Sequence, residues 1–379
     1  MRKGNKVLLT AATVLMIFSY QIYYLIPGRV TVREGEKYNF PPFISSVENE
    51  NGTQLRFMGL LPLRTVKVNV LEKTTLIPCG NTIGIKINVK GLLVVGLSEI
   101  RCESGRKYSP AQAAGLRKGD VIRSINDLKT ETTSSLSAII EKSGGETLNI
   151  ETERNGRTIH LSVSPDFSTD DKAYKIGAWV RDSTSGIGTI TYIDPNDNSF
   201  GALGHGITDA DTGGIIPAGD GEVLRSEIIG IKKGERGSPG ELKGVFASSG
   251  KIGKVNQNTE TGVFGSIVMQ EANKEPVPIG IRSQVHLGEA KILSNIEGEK
   301  VEEYSIEIQK VMKNAINNKG MVIRITDERL LKKTGGIVQG MSGSPIIQDG
   351  RLIGAVTHVF INDPTRGYGA FIELMLSNQ

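Results

Sequence analysis

The chain has 379 residues, 38% hydrophobic and 23% charged, enough for about two or three domains with packed cores. A total of 45 basic against 41 acidic residues leaves a net charge of +4, too small a surplus to argue for nucleic acid as a partner. The two cysteines, Cys79 and Cys102, form no C-x-x-C pair, and no histidine begins an H-E-x-x-H, so neither metal nor cofactor is expected. Glycine is abundant at 46 residues, well above the ~7% of average usage, and shows no collagen period. That composition predicts short strands joined by many turns, a mainly β protein.

Residues 7–26 carry no charge and are mostly apolar. Twenty helical residues rise about 30 Å, the thickness of a bilayer core, so this segment is expected to be a transmembrane helix. Arg2, Lys3 and Lys6 precede it and would stay in the cytoplasm, placing the bulk of the chain outside. Arg29, Arg33 and Lys37 follow it and dilute that orientation signal. The run from Tyr20 to Ile26 offers no small-x-small cleavage site, which favours an uncleaved anchor over a signal peptide. Residues 1–26 therefore read as a cytoplasmic tip and anchor. Residues 27–75 read as an irregular connecting region, broken by Phe40-Pro41-Pro42-Phe43 and Glu48-Asn49-Glu50-Asn51-Gly52. Strand-like alternation appears only over 64–70. Cys79 and Cys102 are expected as two buried thiols, with a single disulfide as the alternative outside the cytoplasm.

A compact unit is expected over 76–165. Gly91 to Leu97 reads as a buried strand, Ser109 to Leu116 as a short helix ended by Gly115, and Val121 to Asn126 as a strand. Leu136, Ile139 and Ile140 mark the apolar face of a second helix. Two alternating strands, 147–153 and 158–163, flank Asn155-Gly156, a strong hairpin signal. This run resembles a bacterial PDZ domain (α+β), through Pro110-Ala111-x-x-Ala114-Gly115-Leu116-x-x-Gly119-Asp120-Val121-Ile122 and then Gly156. The resemblance implies peptide binding by strand addition. It would place the carboxylate-receiving loop at Ile83, Gly84 and Ile85, with the helix over 133–142 as the other wall.

Residues 166–379 turn glycine-rich again. Within them, Tyr304, Ile308, Val311, Met312 and Ala315 are spaced for a helix over 301–315 with one buried face. The strongest chemical signal is Gly340-Met341-Ser342-Gly343-Ser344-Pro345. Acyl transfer needs a serine on a tight turn and backbone N–H groups aimed where the oxyanion forms. Flanking glycines permit the required dihedrals. The stretch resembles the nucleophile region of chymotrypsin-like serine peptidases and the hairpin that follows it there. That resemblance makes Ser342 the nucleophile and the N–H groups of Gly340 and Ser342 the oxyanion hole. The Asp of that element is Met341 here, so activation by pairing it with a freed N-terminus is unavailable.

The base must come from His160, His205, His286 or His358. His160 falls on a PDZ-like strand. The order His, Asp, Ser of chymotrypsin-like chains disfavours His358, which follows Ser342. His286 sits in an ordinary strand pattern. His205, in Gly204-His205-Gly206, is presented at a turn and is the best candidate. Asp209, Asp211 and Asp220 crowd the loop after it. Asp327, following the apolar run Met321 to Thr326, suits a buried acceptor for the imidazole N–H. A Ser–Lys dyad through Lys332 or Lys333 is the minor alternative.

An anchor, a PDZ unit and a chymotrypsin-like double β-barrel over 166–379 together resemble the SpoIVB peptidase family of endospore-forming bacteria. The most specific stretches are Ile77 to Gly84, Gly201 to Gly206, Ile325-Thr326-Asp327 and Gly340 to Pro364. The resemblance implies a triad of His205, Asp327 and Ser342. It further implies a sporulation serine endopeptidase on the forespore membrane, exported to the space between forespore and mother-cell membranes. There it cleaves itself within 27–75, is released, and cleaves a membrane-complex regulator to activate a late sigma factor. The competing readings are a PDZ scaffold with an inactive peptidase-like domain and a broad quality-control peptidase. In the latter the PDZ unit usually follows the peptidase unit.

Overall fold

The computed structural model describes residues 29–33, 42–49, 52–71, 74–268 and 275–377. The anchor expected over 7–26 lies outside them. Among the described residues no helix is long and apolar enough to cross a membrane.

The region 27–75 is not irregular. Strands β1 (Arg29–Arg33), β2 (Ile44–Asn49), β3 (Gly52–Phe57) and β4 (Leu61–Leu71) form a four-stranded sheet in the order β1-β4-β3-β2. Val30, Ile44, Leu55 and Val66 make its small core. The turn joining β3 to β4 exposes two large apolar side chains, Met58 at 70% and Leu60 at 84%.

Two six-stranded barrels follow, and the PDZ-like unit is inserted into the first. β5 (Thr75–Pro78) leads into β6 (Thr82–Leu97), a long strand with two uses. Its residues 82–89 belong to the barrel and its residues 92–97 to the inserted unit. Gly91, at φ +116°, marks the crossover, where a Cβ would come 2.4 Å from the Ile122 carbonyl oxygen. The inserted unit carries β7 (Ile100–Arg101), β8 (Lys107–Tyr108), α1 (Pro110–Ala113), β9 (Val121–Ile125), β10 (Leu128–Lys129) and α2 (Thr133–Lys142). It ends with the hairpin β11 (Leu148–Arg154) and β12 (Arg157–Val163), followed by β13 (Asp166–Ser168) and β14 (Ala173–Lys175). Asn155 and Gly156 turn that hairpin at φ +51° and +73°, as the Asn-Gly signal requires. Ser109 and Thr132 cap the two helices with their hydroxyls. Leu92, Leu116, Ile122, Leu136 and Ile150 fill the unit's core.

The chain returns to the barrel on β15 (Ala178–Ile193), which retraces β6. Residues 178–181 pair with Leu93 to Leu97, and residues 183–189 pair with Thr82 to Asn88. The ring then closes through β16 (Ser199–Ala202), β17 (Ala218–Lys232), β18 (Glu241–Thr259) and β19 (Gly262–Ile267) in the order β6-β17-β18-β19-β16-β15-β6. Ile85, Ile87, Ile190, Phe200, Val223 and Val263 fill it. After β20 (Val277–Pro278), the second barrel closes as β21 (Gly288–Glu297), β22 (Lys300–Val311), β23 (Met321–Ile325), β26 (Asp363–Phe371), β25 (Arg351–Phe360) and β24 (Pro345–Gln348). Helix α3 (Glu328–Thr334) bridges β23 to the nucleophile turn, and α4 (Ile372–Leu376) closes the described chain. Cys79 and Cys102 are both buried thiols, with no disulfide between them.

Two expectations are corrected by this topology. Residues 301–315 are not a helix. Tyr304, Ile306 and Ile308 alternate inward along β22 while Ser305 points out, which is the two-residue period of a strand. Ile83, Gly84 and Ile85 are not a carboxylate-receiving loop. They lie mid-strand in β6, with Gly186 to Gly188 paired on one edge and Val223 to Arg225 on the other. Ile83 and Ile85 sit in the barrel core, and Gly84 lies so close under Phe246 that a Cβ would come 2.4 Å from its ring. The part of β6 inside the PDZ-like unit is also occupied on both edges, by β9 and by β15. Asp182 of β15 accepts from the backbone N–H and hydroxyl of Thr133 at the start of α2.

Candidate active site

The nucleophile turn runs from the end of α3 to β24. Gly335, at φ +77°, ends the helix, with its N–H on the Leu331 carbonyl. Gly340 and Gly343 both take φ +98°, the left-handed region that the G-x-S-G spacing anticipates. At Gly343 the constraint is also steric, since a Cβ would sit 2.0 Å from the Thr189 carbonyl oxygen. Between the glycines, Met341 points into the second barrel's core, fully buried, where an Asp would need a partner.

Strand β15 of the first barrel seats this turn. The Thr189 hydroxyl donates to the Gly340 carbonyl at 2.7 Å, and the Thr189 N–H to the Ser342 carbonyl at 3.0 Å. The Thr191 hydroxyl donates to the Gly343 carbonyl at 2.8 Å. Both hydroxyls are buried, where each satisfies an acceptor that water cannot reach. With the carbonyls so fixed, the N–H groups divide. Those of Met341, Gly343 and Ser344 bond Val338, Val356 and Met341 carbonyls at 3.1, 2.8 and 3.0 Å. Those of Gly340 and Ser342 have no acceptor among the described residues. These two are the donors expected to form the oxyanion hole.

His205 sits on the turn after β16. Leu203 and Gly204 take φ +69° and +67°, which swings the ring toward the second barrel. Gly204 and Gly206 serve close packing more than exposure. A Cβ on Gly204 would come 2.8 Å from the Thr357 methyl, and one on Gly206 2.5 Å from the Thr259 carbonyl oxygen. His205 Nδ1 lies 2.9 Å from the Gly206 carbonyl oxygen. A carbonyl only accepts, so Nδ1 carries the proton and Nε2 keeps its lone pair, the tautomer a general base needs. Burial holds the imidazole below its ordinary pKa, and the Gly206 bond opposes that shift only in part.

His205 and Ser342 line one cleft of about 690 Å³, built from both barrels. Its walls include Ile85, Ile187, Leu203, Leu242, Phe246, Ile337 and Val338, and among the described residues Glu241 is the one acidic or basic side chain besides the histidines on them. In the resting arrangement the Ser342 hydroxyl donates to the Thr357 carbonyl at 2.9 Å.

Asp327 is placed elsewhere. It is the N-cap of α3, accepting from the N–H groups of Arg329 and Leu330 and from Ser305, and pairing with the Arg329 guanidinium at 2.9 Å. Those bonds hold its carboxyl below the usual range. It does not line the cleft. Asp209, buried, pairs with Arg181 and caps the N–H groups of Asp211 and Thr212, while Asp211 takes the other guanidinium nitrogen. The structure thus brings His205 and Ser342 together and spends the neighbouring aspartates on loop geometry. His286 precedes β21 in an exposed segment and pairs with Asp349 at 2.8 Å; His160 is exposed on β12.

Sequence order set His358 aside, yet the fold carries it into the cleft on β25. Its ring centroid lies 5.1 Å from that of His205, at 38° between planes. The signal available in the sequence was its place in the hairpin after the nucleophile, one residue beyond Thr357.

Among curated proteins, the chain is similar to Zinc metalloprotease RasP of Shouchella clausii, 36% identical over 56 residues, 15% of this chain and 13% of that one. It is also similar to Putative zinc metalloprotease LL2128 of Lactococcus lactis, 37% identical over 71 residues, 19% of this chain and 16% of that one. The chain therefore spans less than a fifth of the length of these relatives, and it has no H-E-x-x-H. A PDZ domain model matches residues 82–164. The model described as SpoIVB peptidase S55 matches residues 172–376, more than half of the 379. The matched residues hold both His205 and the glycine-flanked Ser342 that line the cleft, and the chain belongs to the SpoIVB peptidase S55 family.

Proposed function

We propose that this chain is a serine endopeptidase in which Ser342 is the nucleophile and His205 the general base. The observation that carries the reading is the nucleophile turn itself. Its carbonyls are fixed by Thr189 and Thr191, and the N–H groups of Gly340 and Ser342, with no acceptor among the described residues, lie at the serine. Rotation of the Ser342 hydroxyl off the Thr357 carbonyl frees it to attack a peptide carbonyl carbon. Its proton passes to His205 Nε2, and the carbonyl oxygen takes the electron pair and is held by the two N–H groups. The imidazolium then gives its proton to the leaving amine, and water resolves the acyl-enzyme by the same steps. Asp327 enters this proposal at a distance. Its carboxylate caps α3, and α3 leads directly into the turn.

The mainly apolar cleft with Glu241 on its wall suits apolar side chains beside the scissile bond. The family points to sporulation signalling. In this proposal the chain is anchored in the forespore membrane by residues 7–26, with its bulk between the two membranes. It cleaves first itself and then a regulator in a membrane complex. The exposed turn at Met58 and Leu60 offers the apolar side chains that such a cleft would take. A serine-directed organophosphonate tests the site. Peptide mapping should find the adduct on Ser342 and none in Ser342→Ala. An adduct elsewhere, or an equal adduct on the Ala variant, would refute the reading.

A further inference from the structure

We propose that the turn between β3 and β4 of the N-terminal sheet dips into the bilayer from which the chain emerges, with Phe43, Met58, Leu60 and Leu61 as the inserted side chains. This rests on the reading above that residues 7–26 anchor the chain in a membrane.

The backbone of this turn and the residues on it disagree. Met58 and Gly59 take φ +50° and +76°, and the Leu60 N–H donates to the Phe57 carbonyl at 3.1 Å. The hairpin turn at Asn155 and Gly156 has the same backbone, at φ +51° and +73°. Two-residue turns of this geometry favour Asn or Asp before Gly, because a longer side chain is strained at positive φ. Here that position holds a methionine, 70% exposed, beside Leu60 at 84%. Phe43, whose carbonyl accepts from the Met58 N–H at 2.8 Å, and Leu61 expose further apolar surface at the same end. None of the four belongs to the small core of Val30, Ile44, Leu55 and Val66. Apolar side chains gathered outside a core mark an interaction surface.

The strand register says what lies over that surface. β1 pairs with β4 in parallel, from Arg29 opposite Lys67 to Arg33 opposite Leu71, so a chain arriving at Arg29 comes from the side of the turn. From Leu61 to Lys67 is about 20 Å of strand. From Ile26 to Arg29 an extended chain spans at most about 10 Å. A chain leaving the bilayer runs on away from it along β1. A sheet standing along the bilayer normal therefore carries the turn about 10 Å past the end of the anchor, the depth at which interfacial apolar groups sit. Charge agrees with this direction. Arg56, opposite Pro62, and Arg64, opposite Leu55, stand just behind the turn, and Glu48 stands at the far end of the hairpin, opposite Thr53. An apolar tip with a basic collar suits anionic lipid headgroups. Bilayer and cleft then compete for this turn, and while inserted it is withheld from Ser342.

Fluorescence on vesicles tests this. The full chain carrying Ser342→Ala, so that its own serine cannot release the anchor, is reconstituted in phosphatidylcholine and phosphatidylglycerol. A polarity-sensitive dye on Leu60→Cys reads the turn, since Cys79 and Cys102 are buried and stay unlabelled. The dye should emit to the blue of the same dye on Val268→Cys, an 85% exposed position just after β19, and should lose most of its emission to brominated acyl chains. Emission matching that of Val268→Cys overturns the proposal. So does a blue shift that brominated lipid leaves unquenched, which would give the turn to a second copy of the chain. Should Leu60→Cys fail to fold, Met58→Cys carries the dye instead. A dye on Val14→Cys separates the two readings. Quenching there and not at Leu60 keeps the anchor and refutes the insertion, whereas no quenching at Val14 refutes the anchor and this proposal with it.

Discussion

Thr189→Val probes how one barrel holds the other's nucleophile. Valine keeps the shape of threonine but has no hydroxyl. In the native chain that hydroxyl donates to the Gly340 carbonyl at 2.7 Å, and Thr189 is fully buried. Removing the donor leaves a buried acceptor unsatisfied, a cost of about 1–3 kcal/mol. The carbonyl belongs to the peptide linking Gly340 and Met341, whose N–H is held by Val338 at 3.1 Å. Freed at one end, that plane can rotate, and the N–H groups of Gly340 and Ser342 lie on either side of it. Complete loss of one oxyanion donor costs about a hundred- to a thousandfold in rate. A tilt, which weakens a donor without removing it, should cost less, about tenfold. Chemical denaturation reads the first effect and hydrolysis of an activated ester the second, with Thr189→Ser as the variant that retains the hydroxyl. If the Val and Ser variants unfold at the same denaturant concentration and turn over at the same rate, the seating argument is wrong.

Further outcomes follow from the same geometry. Gly343→Ala should abolish activity and lower the melting temperature, because its Cβ would sit 2.0 Å from the Thr189 carbonyl oxygen at φ +98°; a soluble, active Ala variant would contradict this. Asp327→Ala should lose about 0.5–2 kcal/mol of stability with the cap, whereas Asp327→Asn, also a good cap, should retain most activity. Because the folded pKa of Asp327 is depressed, its contribution is present above the unfolded carboxyl value of about 3.9 and fades as pH falls through the folded value. Denaturation of parent and Asp327→Ala at neutral and strongly acid pH should therefore show the difference shrinking in acid. His205 must be neutral to act and burial lowers its pKa, so the acid limb of kcat/KM should lie below about pH 6.5, the ordinary imidazole value; an acid limb above that would remove His205 as the base.

What was legible in the sequence was local. The hairpin at Asn155-Gly156, the helix capped by Thr132 and the left-handed glycines around Ser342 each depend on residues a few positions apart. Partners far along the chain decided the rest. Ile83-Gly84-Ile85 resembled a loop of a PDZ domain, but its strand partners, Gly186 to Gly188 on β15 and Val223 to Arg225 on β17, lie far downstream and make it barrel core. Tyr304 and Ile308 are four apart, which fits either a helix or a strand. Ile306 between them, buried at 1%, is the residue that decides for the strand. The inserted PDZ-like unit was visible as a unit but not as an insertion, because β6 and β15, which carry it in and out, each give one half to the barrel and the other to the unit, a division set by partners far along the chain. His358 was passed over on chain order, a property of topology in relatives, while its nearness to His205 is set by the β25–β26 hairpin. Asp327 was expected as the acceptor for the imidazole N–H, and its cap on α3 and pairing with Arg329, away from the cleft, depend on a helix start the strand pattern did not reveal.

In the proposed function Ser342 cuts the chain's own N-terminal region. N-terminal sequencing of the fragments formed by the purified full chain, beside Ser342→Ala, tests it most directly. The parent should give fragments beginning within 27–75 and the Ala variant should stay intact. The same fragments from both proteins would contradict it.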